Sequence, residues 1–255
     1  MSLYLKESRS LFHHIPNTGG HWIEKACCAT GIKAHRRNVV VCQRRLKTYT
    51  KLHPLLGFYN GEILSKIDFI FTFVRHPVNF YESVWRRIKM ASNNAERYYT
   101  WWSWHPYREV VKWCQQDFTF DDWLYWVLKE QPLWYTRLIE SYIGPEGGEF
   151  CWFIGRTRTL IEDFFLVMNY LGYGDRLREH RKDVLSLGRI NPTRAPKIEW
   201  NPDLQKQVEL SEKLVIQRFF SEETIGRRWY VPKKTVSELA EEMASKRKGR
   251  IIPLS

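Results

Sequence analysis

Apolar and polar positions alternate in blocks that change period along the chain, and these blocks define the expected elements. Residues 10–15 (SLFHHI) read as a short strand, the turn Pro16-Asn17-Thr18-Gly19-Gly20 follows, and residues 21–30 read as a helix that stops at Gly31. Residues 38–42 (NVVVC) predict a second strand. Residues 69–74 (FIFTFV) predict a third, whose unbroken apolar run suits a strand buried on both faces. Pro77 then opens a helix in which Tyr81, Val84, Trp85 and Ile88 recur at helical spacing, leaving Arg86, Arg87 and Lys89 outward. Residues 150–154 predict another strand, 160–171 a helix ending near Gly172, and 202–220 one longer helix. Thr235 and Glu238 form a capping-box pattern before a last helix that Gly249 ends. Strands alternating with helices imply an α/β fold around a central parallel sheet.

Composition narrows the class. At 255 residues, with 44% apolar and 27% charged residues, the chain fits a single globular domain over 1–255. Residues 92–137 are expected as a helical insertion rich in tryptophan, including Trp101, Trp102, Trp104, Trp113, Trp123, Trp126 and Trp134. Two readings stay open for that stretch: ordinary core, or the wall of an acceptor cleft, since indole faces stack on sugar rings. Lys and Arg exceed Asp and Glu by 40 − 28 = 12, so the surface field favours anionic ligands. The five cysteines are odd in number and form no C-x-x-C pair, which argues against a disulfide framework or a zinc site. The expected setting is therefore the cytoplasm, with no membrane span, since no apolar run approaches the ~20 residues that one requires.

Two short segments carry the candidate chemistry. The turn at residues 16–20 lies between a strand and a helix, where unpaired backbone N–H groups at the positive end of a helix dipole cradle an anion. It lacks the G-x-x-x-x-G-K-[ST] pattern, which disfavours an ordinary ATP or GTP site. Arg75 follows the buried 69–74 strand, where ligands gather in open α/β sheets, and Ser83 stands eight residues later on the next helix. By itself, the first segment also reads as a helix-capping turn, and the second as an Arg that salt-bridges a neighbour and a Ser on the helix surface. His13 and His14, adjacent on a strand, point to opposite faces and do not act as a pair.

Taken together the segments resemble the PAPS-dependent sulfotransferase family. Pro16, Thr18, Gly19 and Trp22 match that family's loop for the 5′-phosphosulfate, and Arg75 with Ser83 matches its 3′-phosphate pair; the resemblance runs from about Leu11 to Phe164. It implies a three-layer P-loop-like fold with a helical C-terminus, and 3′-phosphoadenosine 5′-phosphosulfate (PAPS) as co-substrate. The product is adenosine 3′,5′-bisphosphate, and the acceptor a hydroxyl on an unidentified glycan or small molecule. The implied nucleotide contacts are Asn17, Thr18, Gly19, Gly20, His21, Trp22 (against the adenine), Arg75 and Ser83. His53, in Lys51-Leu52-His53 and 22 residues before Arg75, matches the family's catalytic base. The implied mechanism is in-line displacement without a metal. One departure stands out: Asn17 occupies the position of the loop lysine, leaving His21 and Lys25 as candidate substitutes for its charge. The basic Lys246-Arg247-Lys248-Gly249-Arg250 contains an Arg-Lys-Gly triplet of family type but lacks the residues that follow it there, and reads as a solvated helix end. The alternatives are a noncatalytic binder of nucleotide or acidic polymer and a P-loop-type phosphotransferase; nucleic acid is not the expected partner.

Overall fold

The computed structural model describes residues 2–37, 65–91, 118–144, 148–149, 151–188, 198–224, 226–235, 238 and 241. The strand expected at 38–42, His53, the basic stretch 246–250 and four of the named tryptophans (101, 102, 104 and 113) lie outside the described residues.

Among the described residues five strands form one open sheet: β1 (Ser2–Leu5), β2 (Ser10–Phe12), β3 (Ala34–Arg37), β4 (Phe69–Val74) and β5 (Phe153–Arg156), in the order β3-β1-β2-β4-β5. β2 pairs parallel with β4 and β4 with β5, while β1 is antiparallel to both of its neighbours. The expected parallel sheet is therefore corrected to a mixed one in which β1 alone is reversed. The cause is local: residues 6–9 turn the chain back after only four residues, with Arg9 in the left-handed region at φ 48°.

Helices cover both faces of the sheet. On one face α1 (Gly20–Ala29) and α5 (Leu160–Tyr170) bury Trp22, Ile23, Phe164 and Val167 against Phe12, Phe71, Phe73 and Phe153. The other face carries α2 (Pro77–Ala91), α3 (Phe120–Glu130) and α4 (Trp134–Ile143), which pack against Leu11, Ile70, Val74 and Ile154. Because strand side chains alternate, a strand with six consecutive apolar or neutral residues feeds both layers, which is why β4 is buried throughout. Trp123 and Trp134, at 0% and 3% exposure, sit inside the second layer, so these two are core rather than cleft wall.

Four further α-helices complete the described set: α6 (Gly174–Glu179), α7 (Arg181–Ser186), α8 (Pro202–Ser211) and α9 (Lys213–Phe219), the last following α8 after one residue. The single helix expected over 202–220 is thus corrected to two, broken at Glu212. That residue is fully buried and its carboxylate accepts from Tyr81 Oη (2.6 Å), Thr136 Oγ1 (2.7 Å), Thr136 N (2.8 Å) and Tyr135 N (3.2 Å). It supplies from a distance the acceptor that the first turn of α4 lacks, since Leu133 at its N-cap has no side chain that can do so.

The C-terminal segment is held by a second polar knot. Arg156 is buried and donates through Nε to Phe219 O (2.6 Å), through one terminal nitrogen to Thr224 O (2.5 Å) and through the other to Arg227 O (3.0 Å). Asp163, in the first turn of α5, accepts from Arg156 N (2.7 Å) and pairs with Arg228 Nε at 2.7 Å. The segment around Trp229 then bridges Phe153 in antiparallel fashion. At the far end, the expected capping box forms, with Thr235 N donating to Glu238 at 2.6 Å and Glu238 N to Thr235 Oγ1 at 3.2 Å.

Candidate functional site

The turn after β2 is built by three residues with special backbone or packing demands. Asn17 takes φ 64°, a left-handed conformation that Asn enters more readily than most side chains. Thr18, fully buried, donates from Oγ1 to Ile15 O at 2.7 Å and pulls the turn closed. Gly19 has φ 95°, and a Cβ there would lie 3.0 Å from the Leu160 side chain. Gly20 is required for a different reason: a Cβ on it would overlap the His14 imidazole, which lies directly against this first residue of α1.

The first helical hydrogen bonds of α1 run from Trp22 N and Ile23 N to Gly19 O, at 2.9 and 3.1 Å. The amides of Gly20 and His21 precede them and have no acceptor within the helix, as at every helix start. The Asn17 carboxamide is 8% exposed, and its Oδ1 has no hydrogen-bond partner among the described residues. His21 is exposed, 4.0 Å from Glu24, and Lys25 is exposed one turn further on. Trp22 is placed differently from the expectation: at 5% exposure its indole packs edge-on against Phe164 within the core, so it presents no open face to an adenine.

Arg75 leaves the end of β4 with its backbone clamped. Its N–H donates to the Tyr135 hydroxyl (2.9 Å), which in turn donates to the Arg75 carbonyl (2.7 Å). Burial pushes the Tyr135 hydroxyl far up, so it keeps the proton that this double role needs. The side chains of Arg75 and Ser83 are half-buried.

Pairing brings the two segments to one edge of the sheet. β2 and β4 are parallel neighbours, with Phe12 opposite Phe71, and the ladder continues through His13 N to Phe71 O at 2.8 Å and Thr72 Oγ1 to His13 O at 2.6 Å. Both the turn and Arg75 therefore leave the carboxyl ends of adjacent strands. The helices that follow go to opposite faces, α1 to one and α2 to the other, and the chain continues to β3 on one side and β5 on the other. This is a topological switch point, the place in open α/β sheets where diverging loops make room for a ligand.

Arg87 is the residue that sequence reasoning missed. It was expected outward, but it is half-buried on α2 and close enough for its charge to act on His14. It stands four residues after Ser83 and so shares that residue's face of the helix, which was the available signal. Burial chiefly, then the amino terminus, His21, Arg87 and His13, hold the His14 imidazole well below its ordinary value of 6.5. His13 itself points the other way, against Tyr142, as expected of neighbours on an extended chain. Arg156 and Asp163 serve the fold, through the knot described above.

Among the described residues no group of three or more His, Cys, Asp or Glu side chains is arranged to hold a metal, and no helix is long and apolar enough to cross a membrane. An open groove between α3 and α8 is lined by Phe118, Tyr125, Trp126 and Asp203 and shares no residue with the switch point. No protein-family model, curated protein or solved structure matches the chain.

Proposed function

We propose that the switch-point crevice binds PAPS within a P-loop-like architecture and that the protein transfers its sulfuryl group to an acceptor hydroxyl. The observation that carries this reading is the placement of the 16–20 turn and Arg75 at the carboxyl ends of two adjacent parallel strands whose helices diverge. A nucleotide phosphorylated at both ends suits such a place. The amides at the start of α1 receive the 5′-phosphosulfate, and Arg75 with Ser83 receives the 3′-phosphate. His53 takes the proton of the acceptor hydroxyl as its oxygen attacks sulfur. The new S–O bond forms as the one to the 5′-phosphate breaks, and adenosine 3′,5′-bisphosphate leaves with the electron pair. Positioning and charge stabilisation carry most of the rate, as in phosphoryl transfer.

A second reading is favoured by one residue. Asn17 brings no charge where the leaving phosphate needs one, and the formal charge of +12 suits a noncatalytic binder of nucleotide or acidic polymer. Incubation with labelled PAPS and a panel of glycan, phenol and alcohol acceptors separates the two. The transferase reading predicts label on at least one acceptor, turnover unchanged by EDTA, and a drop of about 100-fold in His53→Ala. PAPS binding without any transfer favours the binder, and EDTA-sensitive transfer of phosphate from ATP favours a P-loop phosphotransferase.

A further inference from the structure

We infer that His14 supplies the positive charge that Asn17 does not, contacting the 5′-phosphate end of the bound nucleotide as an imidazolium formed on binding. The inference rests on the nucleotide reading above and extends it to a residue outside the matching loop.

The geometry begins with Gly20. The imidazole of His14 lies so close to this first residue of α1 that any side chain there would overlap it, which places the ring at the helix terminus where the backbone amides begin. The ring is held there. His14 N donates to Ser2 Oγ at 3.2 Å, and the ring stands 5.7 Å from that of Phe12. The adjoining Asn17 carboxamide is buried, its oxygen without a hydrogen-bond partner, and a half-turn about its last bond presents NH2 donors instead. The imidazole thus stands at the start of α1, and the buried Asn17 amide belongs to the turn that leads into it.

The ionisable groups that act on His14 are His13 on its own segment, His21 on α1, Arg87 on α2 and the amino terminus, all cationic when charged. With burial, they keep the imidazole neutral near pH 7 in the free protein. A bound phosphate reverses the sign of that field: it offsets Arg87 and His21 and gives an added proton an acceptor. The imidazolium then donates a hydrogen bond to the phosphate oxygen on which charge develops as the S–O bond breaks. Linkage fixes the sign of the pH dependence. Because the bound state holds the proton more tightly than the free state, affinity rises as pH falls through the window between the free and bound values for His14.

The test is titration calorimetry with adenosine 3′,5′-bisphosphate at pH 6.5, 7.5 and 8.5, in buffers of different ionisation enthalpy. The proteins compared are wild type, His14→Gln, His14→Ala and His21→Gln. Adenosine 3′-monophosphate serves as the ligand without a 5′-phosphate. The expected result is net proton uptake by wild type and by His21→Gln that both His14 variants lack. Affinity of His14→Gln for the bisphosphate should fall about 10-fold at pH 6.5, a gap that closes toward pH 8.5, with affinity for the 3′-monophosphate unchanged. Glutamine preserves a neutral donor of similar reach, and circular dichroism of each variant reports its folding. If wild type binds the bisphosphate and His14→Gln binds it with the same affinity, pH slope and proton uptake, the inference is overturned and the nucleotide reading stands. If wild type binds no bisphosphate at any pH, both fall.

Discussion

Replacing Arg75 with alanine is expected to weaken binding of adenosine 3′,5′-bisphosphate by at least 100-fold, with a much smaller effect on thermal stability. The backbone hydrogen bonds that hold this residue in the fold survive the substitution. The fold uses its backbone, whose N–H and carbonyl are both engaged by the Tyr135 hydroxyl at 2.9 and 2.7 Å, and alanine retains both groups. In the proposed complex the ligand engages its guanidinium, which is half-buried at the carboxyl end of β4, through two parallel donors to one phosphate. Each charge-assisted bond contributes about 1.5–3 kcal/mol, so losing a bidentate pair costs about 3–6 kcal/mol. Lysine keeps the charge but not the fork, and Arg75→Lys should recover only part of the affinity. Calorimetry beside a melting curve checks both halves. A large fall in melting temperature, or an affinity loss under threefold, contradicts this role.

Glu212→Ala should produce the opposite pattern, a large loss of stability with no specific effect on the ligand. The substitution strips the acceptor from two hydroxyls, Tyr81 and Thr136, and from the backbone N–H groups of Tyr135 and Thr136, all in the core. Stranding several buried donors costs about 3–5 kcal/mol, and for a chain of this size each kcal/mol moves the melting temperature by about 2–4 °C. Denaturant melts of the alanine and glutamine variants give the number. Glutamine keeps one oxygen as acceptor but brings an NH2 group against the donors, so its loss should be smaller than that of alanine. A change below about 1 kcal/mol for alanine would show that water or a neighbouring carbonyl replaces the carboxylate.

The sequence patterns that foretold structure well were those in which one physical demand dominated. Residues 69–74 have the expected bounds because a strand covered on both faces tolerates only an apolar or neutral run. The helix from Pro77 begins as expected because a proline ring is preset for the first helical position. The break at Glu212 was hidden, since Leu204, Val208, Val215 and Phe219 keep one apolar stripe across it and the periodicity reads straight through. Reversal of β1 was hidden for a related reason: its turn, Lys6-Glu7-Ser8-Arg9, carries none of the Gly, Asn or Pro residues that mark turns in sequence.

The candidate site shows the same division. The turn and Arg75 were legible as separate segments, but their adjacency comes from β2 pairing with β4 across more than fifty residues of chain, and no local pattern encodes it. Trp22 was assigned by resemblance to the nucleotide, whereas its own helix places Trp22, Ile23, Ala26 and Cys27 along a buried stripe. Periodicity places Arg87 outward because it marks only the apolar face and is silent on which polar residues lie beside the switch point.

The central claim, that one crevice holds a phosphate at each end of the same nucleotide, is tested most directly by calorimetric titration of the wild-type protein with adenosine 3′,5′-bisphosphate beside AMP and adenosine 3′-monophosphate. The account predicts that the bisphosphate binds at least 100-fold more tightly than either ligand that lacks one phosphate. Equal affinity for the bisphosphate and AMP, or no binding of either, would contradict it.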